Sequence, residues 1–139
     1  MSDLSAFYAQ NVSDLTEEFA VSERFKDKDG RPIPWKLRSM TEDENEAIRQ
    51  SATKRLKVKN GISVPETNPT EYLTKLAVAS VIFPNLKDAD LQKSYGVLGA
   101  ENLLRKMLLP GEYAALVEKV QEINGFDKDI NELVEEVKN

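Results

Sequence analysis

The chain has 139 residues, 40% of them hydrophobic and 31% charged, with a formal net charge of −5 and neither His nor Cys. That length and balance fit one soluble globular domain with a buried core, while the missing His and Cys remove the usual general base, the common zinc ligands and the thiol nucleophile. A net negative chain is also a poor general binder of phosphate backbones, and no apolar run approaches the roughly 20 residues that span a bilayer.

Residues 1–18 place Leu4, Tyr8, Val12 and Leu15 about four apart, which predicts a short amphipathic helix. The first 23 residues hold five acids (Asp3, Asp14, Glu17, Glu18 and Glu23) and no base, so this segment reads as an acidic, solvated arm. The acid at Asp3 stands where a secretion signal carries bases, so a cytoplasmic protein is expected.

From Phe19 the period changes to two. Phe19, Val21, Glu23 and Phe25 alternate on one face, and Ile33, Trp35 and Leu37 do so after Asp29-Gly30, predicting a β-hairpin over 19–40. Pro32 and Pro34 lack backbone donors, which predicts that the second strand lies at an edge or pairs on one side. Asp27-x-Asp29-Gly30 has an EF-hand flavour, yet the Gly comes too early and Arg38 stands where the closing Glu belongs. It reads as a solvated turn.

Thr41-x-x-Glu44 is a capping box and opens a helix expected to run to Asn60-Gly61. Its first turns carry Glu42, Asp43, Glu44 and Glu46, and its predicted last turns Arg49, Lys54, Arg55, Lys57 and Lys59, a polarity that suits the helix dipole. Ile48, Ala52 and Leu56 form its predicted buried stripe, and no aromatics interleave the bases as nucleic-acid stacking requires. Residues 62–67 read as a linker.

Asn68-Pro69-Thr70-Glu71 starts a second helix, with Leu73, Leu76, Ala77, Ser80 and Val81 on one face before Pro84. The small residues Ala77, Ala79 and Ser80 permit close approach of another element. Asp88 or Asp90 caps a short turn through Leu91, and Gly96 and Gly99 break the chain without a phosphate-loop Lys-Ser/Thr. Leu103, Leu104, Met107 and Leu108 mark the inner face of a further helix. Pro110 and Glu112 open the next, with Tyr113, Leu116, Val117, Val120 and Ile123 inward and Asn124-Gly125 at its end. Asp127 caps a terminal helix over 127–139.

The expected fold is therefore mainly α (α+β): an N-terminal β-hairpin followed by a compact bundle of about five to six helices, in a single domain over 1–139 whose helical core spans 41–126. No carboxylate pair, nucleophile–base pair or ligand cluster emerges; Ser94-Tyr95 beside Gly96 has no general base near it. The expectation is no catalytic residue, no metal and no cofactor. Aromatic and Arg side chains dominate interface energies, which makes Trp35, Arg38, Tyr95 and Tyr113 the candidate partner-binding residues.

Three stretches together resemble a known family: AFYAQNV (6–12), RFKDKDGRPIPWKLRSMTEDENEAIR (24–49) and EYLTKLAVASVIFPNLKDADLQKSYGVLGAENLLRKMLLPGEYAALVEKVQEINGF (71–126). Their order and content are similar to the XkdN-like phage tail assembly chaperones of Gram-positive phages and prophages. The resemblance implies a non-catalytic protein, encoded between the tail tube and tape measure genes and absent from the finished virion. It further implies that the partners are the tape measure protein and the tail tube protein, and that some members have a frameshifted longer form; the expectation of no nucleic acid and no membrane rests instead on the net charge and the short apolar runs. The competing readings are an adaptor or regulator for another protein and, less well supported, a nucleic-acid binder. Gene order separates the first from the chaperone, and a salt-dependent gel shift tests the second.

Overall fold

The computed structural model describes residues 3–57 and 61–126, among which five α-helices and five short strands form a mixed α+β fold. The strands fall into a three-stranded sheet of order β1-β2-β5 and a separate two-stranded sheet of β3 and β4. The terminal helix expected over 127–139 lies outside the described residues.

The arm forms two 3-10 turns, Leu4–Phe7 and Ala9–Asn11, rather than one amphipathic helix. A helix this short takes its stability from packing, and Leu4, Phe7, Val12 and Leu15 are all well exposed. Strand β1 (Thr16–Phe19) follows and pairs antiparallel with β2 (Trp35–Arg38), Phe19 opposite Trp35. The hairpin thus starts earlier than its alternating pattern suggests. Val21–Phe25 leave the ladder, Val21 becomes buried, and the chain re-pairs only at the Lys26–Pro32 bridge. There Asp27 Oδ1 accepts the Asp29 and Arg31 amides at 2.9 and 3.0 Å, a turn closed by its own carboxylate.

The second strand is central, not an edge. Pro32 and Pro34 precede β2 and cost it no ladder bond, which leaves Trp35–Arg38 free to pair on both sides. Its other neighbour is β5 (Val81–Phe83), which was expected in part as helix; Leu37 faces Val81, with a register shift between Lys36 and Leu37.

Helix α1 (Glu42–Ser51) begins at the Thr41 capping box, Oγ1 accepting the Glu44 amide at 3.3 Å, but it ends at Ala52. Residues expected as its last turns form β3 (Thr53–Lys57), antiparallel to β4 (Ser63–Thr67), and the expected linker is the second strand of that hairpin. Ala52 is fully buried and Ile48 packs on the core as expected, whereas Leu56 is exposed on the hairpin. Of the bases assigned to the helix end, Arg49 lies in it, Lys54, Arg55 and Lys57 lie on β3, and Lys59 falls outside the described residues.

Helix α2 (Pro69–Ser80) is capped by Asn68, α3 (Ala89–Ser94) by Asp88, and α4 (Ala100–Met107) and α5 (Pro110–Ile123) meet at Leu108-Leu109. Leu76 and Ala77 of α2, Leu103, Leu104 and Met107 of α4, and Leu116, Val120 and Ile123 of α5 close over Trp35 and Leu37 of β2. Full burial of each large side chain contributes about 1.5–3 kcal/mol. The small residues of α2 work as read: Ser80 is fully buried, and Asn124 at the end of α5 donates to its Oγ at 3.2 Å.

Candidate partner-binding surfaces

Charged groups with perturbed acidity are all engaged in holding the fold. Arg38 donates to Glu44 at 2.8 Å, and that bond raises the guanidinium's pKa and lowers the carboxyl's. Lys119 of α5 reaches Glu17 of β1 at 2.7 Å, which raises its pKa. Glu112 is held down to about 2, first by Arg24, then by Ser22 and the Leu109 amide. No group of three or more His, Cys, Asp or Glu among the described residues is arranged to hold a metal. Ser94 Oγ donates to the Leu91 carbonyl at 2.7 Å, a helix-end bond rather than an activated hydroxyl.

The four residues singled out in the sequence do not share a patch. Trp35 is 2% exposed and packs against Phe25, ring centroids 6.2 Å apart. Arg38 is half-buried in its pair with Glu44. Tyr113 lies half-buried, its hydroxyl 2.6 Å from Thr74 Oγ1, at the rim of a hollow with Thr70, Arg105, Leu108 and Pro110. Tyr95 is half-buried at the C-terminal end of α3.

Next to Tyr95 opens a cleft of about 600 Å³, lined by Ala89, Gln92, Lys93, Gly96, Val97, Leu98 and Asn102. Its construction follows from the Tyr95-Gly96-Val97-Leu98-Gly99 loop between α3 and α4. Gly96 and Gly99 hold φ values of 69° and 93°, conformations that side chains with a Cβ rarely adopt, so the loop can reverse tightly. The Gln92 side chain then ties the end of the loop to the segment before α3, accepting the Gly99 amide at 3.0 Å and donating to the Leu86 carbonyl at 2.9 Å. Asn102 donates to the Leu98 carbonyl at 2.8 Å.

Val97 turns toward the core, while Leu98 stands 85% exposed, more than any other large hydrophobic among the described residues. The bonds from Gln92 and Asn102 hold the backbone around Leu98, and its side chain, left in water, adds little to folding. In the sequence the two glycines mark only a break; the local signal of this loop is the apolar pair between them, flanked by two amide side chains at Gln92 and Asn102. Another hollow, of about 260 Å³, lies where the β3–β4 hairpin meets α2, lined by Ala52, Lys54, Leu56, Glu66, Asn68, Pro69 and Glu71.

No helix among the described residues is long and apolar enough to cross a membrane. Residues 4–138 match the model of the phage XkdN-like tail assembly chaperone proteins. The chain is 31% identical to the phage-like element PBSX protein XkdN of Bacillus subtilis, over 99% of this chain and 94% of that protein. It is likewise 31% identical to the uncharacterized protein YqbN of the same organism, over 99% and 93% of the two chains. The crystal structure of the protein yqbn superposes with a TM-score of 0.77 at 26% identity, covering 91% of this chain and 99% of that one.

Proposed function

The chain belongs to the phage XkdN-like tail assembly chaperone family, and from that membership we propose that it binds the tape measure protein and keeps it soluble for tail tube assembly in the host cytoplasm. It acts by binding alone, with no catalytic residue, metal or cofactor. Family membership supplies the process, and the clamped loop supplies the means. A long helical client exposes apolar stripes before assembly, and a chaperone must offer it apolar anchors set in a polar frame.

The observation that carries this reading is Leu98, 85% exposed at the mouth of the cleft between α3 and α4. Lys93, Gln92 and Asn102 surround it with polar groups, the arrangement of an anchor inside a rim. Because Gln92 and Asn102 fix the loop in advance, docking loses little conformational entropy there. Tyr95 stands at the start of the loop in sequence, and its ring packs against the core.

The test is co-expression with the tape measure protein of the same phage or prophage, followed by affinity capture and a solubility assay. The expected result is a complex and a larger soluble fraction of the client. Absence of both overturns the reading. Leu98→Asp, which places a charge on the anchor, should abolish capture while the chaperone itself stays folded.

A further inference from the structure

Two open strand edges carry the same pattern with opposite charge. Strand β1 reads Thr16-Glu17-Glu18-Phe19, and β3 reads Thr53-Lys54-Arg55-Leu56. Each is a Thr, two like charges and an apolar residue. Strand β1 is the outer strand of its sheet, paired only with β2, and β3 is paired only with β4. Both therefore leave one row of backbone donors and acceptors without a strand partner, a surface that invites another strand.

On β3, Lys54 stands opposite Glu66 across the ladder. Lys54, Arg55 and Lys57 are exposed and form no ion pair among the described residues; Arg55 donates only to Ser63 Oγ, at 3.2 Å. On β1, Glu17 shares Lys119 with Glu122, and Glu18 faces Lys36 across the ladder without an ion pair. A chain of net charge −5 repels its own copies at long range, so self-contact is favoured where a local basic strand meets a local acidic one. Apolar surface follows the same division: Val12 and Leu15 lie exposed beside the acidic strand, Leu56 and Val64 on the basic hairpin. A lone two-stranded sheet is marginal in water, so covering β3–β4 also steadies it.

We propose that a second copy of this chain docks edge to edge, β1 of one copy adding to β3 of the other. Each doublet is a pair of adjacent residues, so with the strands parallel or antiparallel there is a register that sets Glu17 and Glu18 opposite Lys54 and Arg55. Each copy carries both edges, and reciprocal docking closes a two-fold dimer. The occupant is this chain, and the inference does not depend on the tape measure protein.

Light scattering after size exclusion, from dilute to concentrated protein, reads the outcome. The wild-type chain is expected to dimerise, and molar salt to dissociate the dimer. Glu17→Lys with Glu18→Lys, or Lys54→Glu with Arg55→Glu, should each weaken association roughly a hundredfold by setting like charges opposite one another. Mixing the two variants should restore a dimer between unlike chains, which also demonstrates that both are folded. A wild-type chain that stays monomeric at every concentration overturns the proposal, as does a dimer indifferent to salt. Monomeric wild-type chain whose β3 is occupied only in the presence of another tail protein assigns that edge to a different partner and overturns it too.

Discussion

Arg24 and Glu112, 88 residues apart, tie the loop between β1 and β2 to the junction of α4 and α5. The guanidinium meets Glu112 Oε2 through Nε at 3.1 Å, and its Nη2 also donates to the Met107 carbonyl at 2.9 Å. The same carboxylate accepts the Leu109 amide at 2.9 Å, which closes the start of α5, where Leu109 has no side-chain acceptor of its own. These donors favour the ionised form and hold the Glu112 pKa at about 2, against an ordinary 4.5. A depressed carboxyl contributes stability above its unfolded pKa and loses it as pH falls through the folded one. Glu112→Gln is therefore expected to melt lower than wild type at neutral pH, with the gap closing between about pH 4.5 and 2. Melting temperatures taken across that range check this; a constant gap contradicts it.

Asn124 joins three elements at one point. Its Oδ1 accepts the Met40 amide at 2.8 Å, and its Nδ2 donates to Ser80 Oγ and the Val120 carbonyl at 3.2 and 2.8 Å. Asn124→Ala strands the half-buried Met40 amide and is expected to cost about 1–3 kcal/mol in urea unfolding. Asn124→Asp keeps the acceptor for Met40 but loses the donors, and should fall between alanine and wild type.

Thr41 gives a sharper test of local structure, because its capping box was plain in the sequence and is present. Thr41→Ala is expected to destabilise by about 0.5–2 kcal/mol, and Thr41→Ser to retain most of the cap. Helical circular dichroism and denaturant midpoints separate the two.

Legibility followed how far the deciding interactions lie along the chain. Caps at Thr41, Asn68 and Asp88 and the inner faces of α4 and α5 are set within a turn or two, and each was readable. Residues 53–67 were not. Asn60-Gly61 serves equally as a helix end or a reversal between strands, since both want a positive φ, and Gly61 has 74°. What decides the matter is cross-strand pairing, Leu56 with Val64 and Thr53 with Thr67, which no local period announces. The weight of Thr53, Val64 and Thr67 toward strand was the available hint. Strand β5 was hidden likewise: Val81 continues the α2 pattern, and only β2 alongside draws it into a sheet. The candidate aromatics were chosen by residue type, which says nothing of depth, and Trp35 lies in the core.

The loop between α3 and α4 allows contact and pre-organisation to be separated. Leu98→Ala removes the exposed side chain, and since little of it is buried in the free chain, stability should stay within about 0.5 kcal/mol of wild type. Gln92→Ala leaves Leu98 intact but releases the Gly99 amide at the end of the loop, together with the Leu86 carbonyl before α3. If the anchor works because it is fixed in advance, both variants weaken client capture, the first by lost burial and the second by the cost of ordering the loop on docking. Titrating each against the tape measure protein, with amide exchange at residues 95–99 measured in the free chain, distinguishes the causes. Faster exchange with weaker capture is expected for Gln92→Ala, and unchanged exchange with weaker capture for Leu98→Ala. Gln92→Ala that binds as tightly as wild type while exchanging faster would show that the loop's rigidity plays no part in recognition.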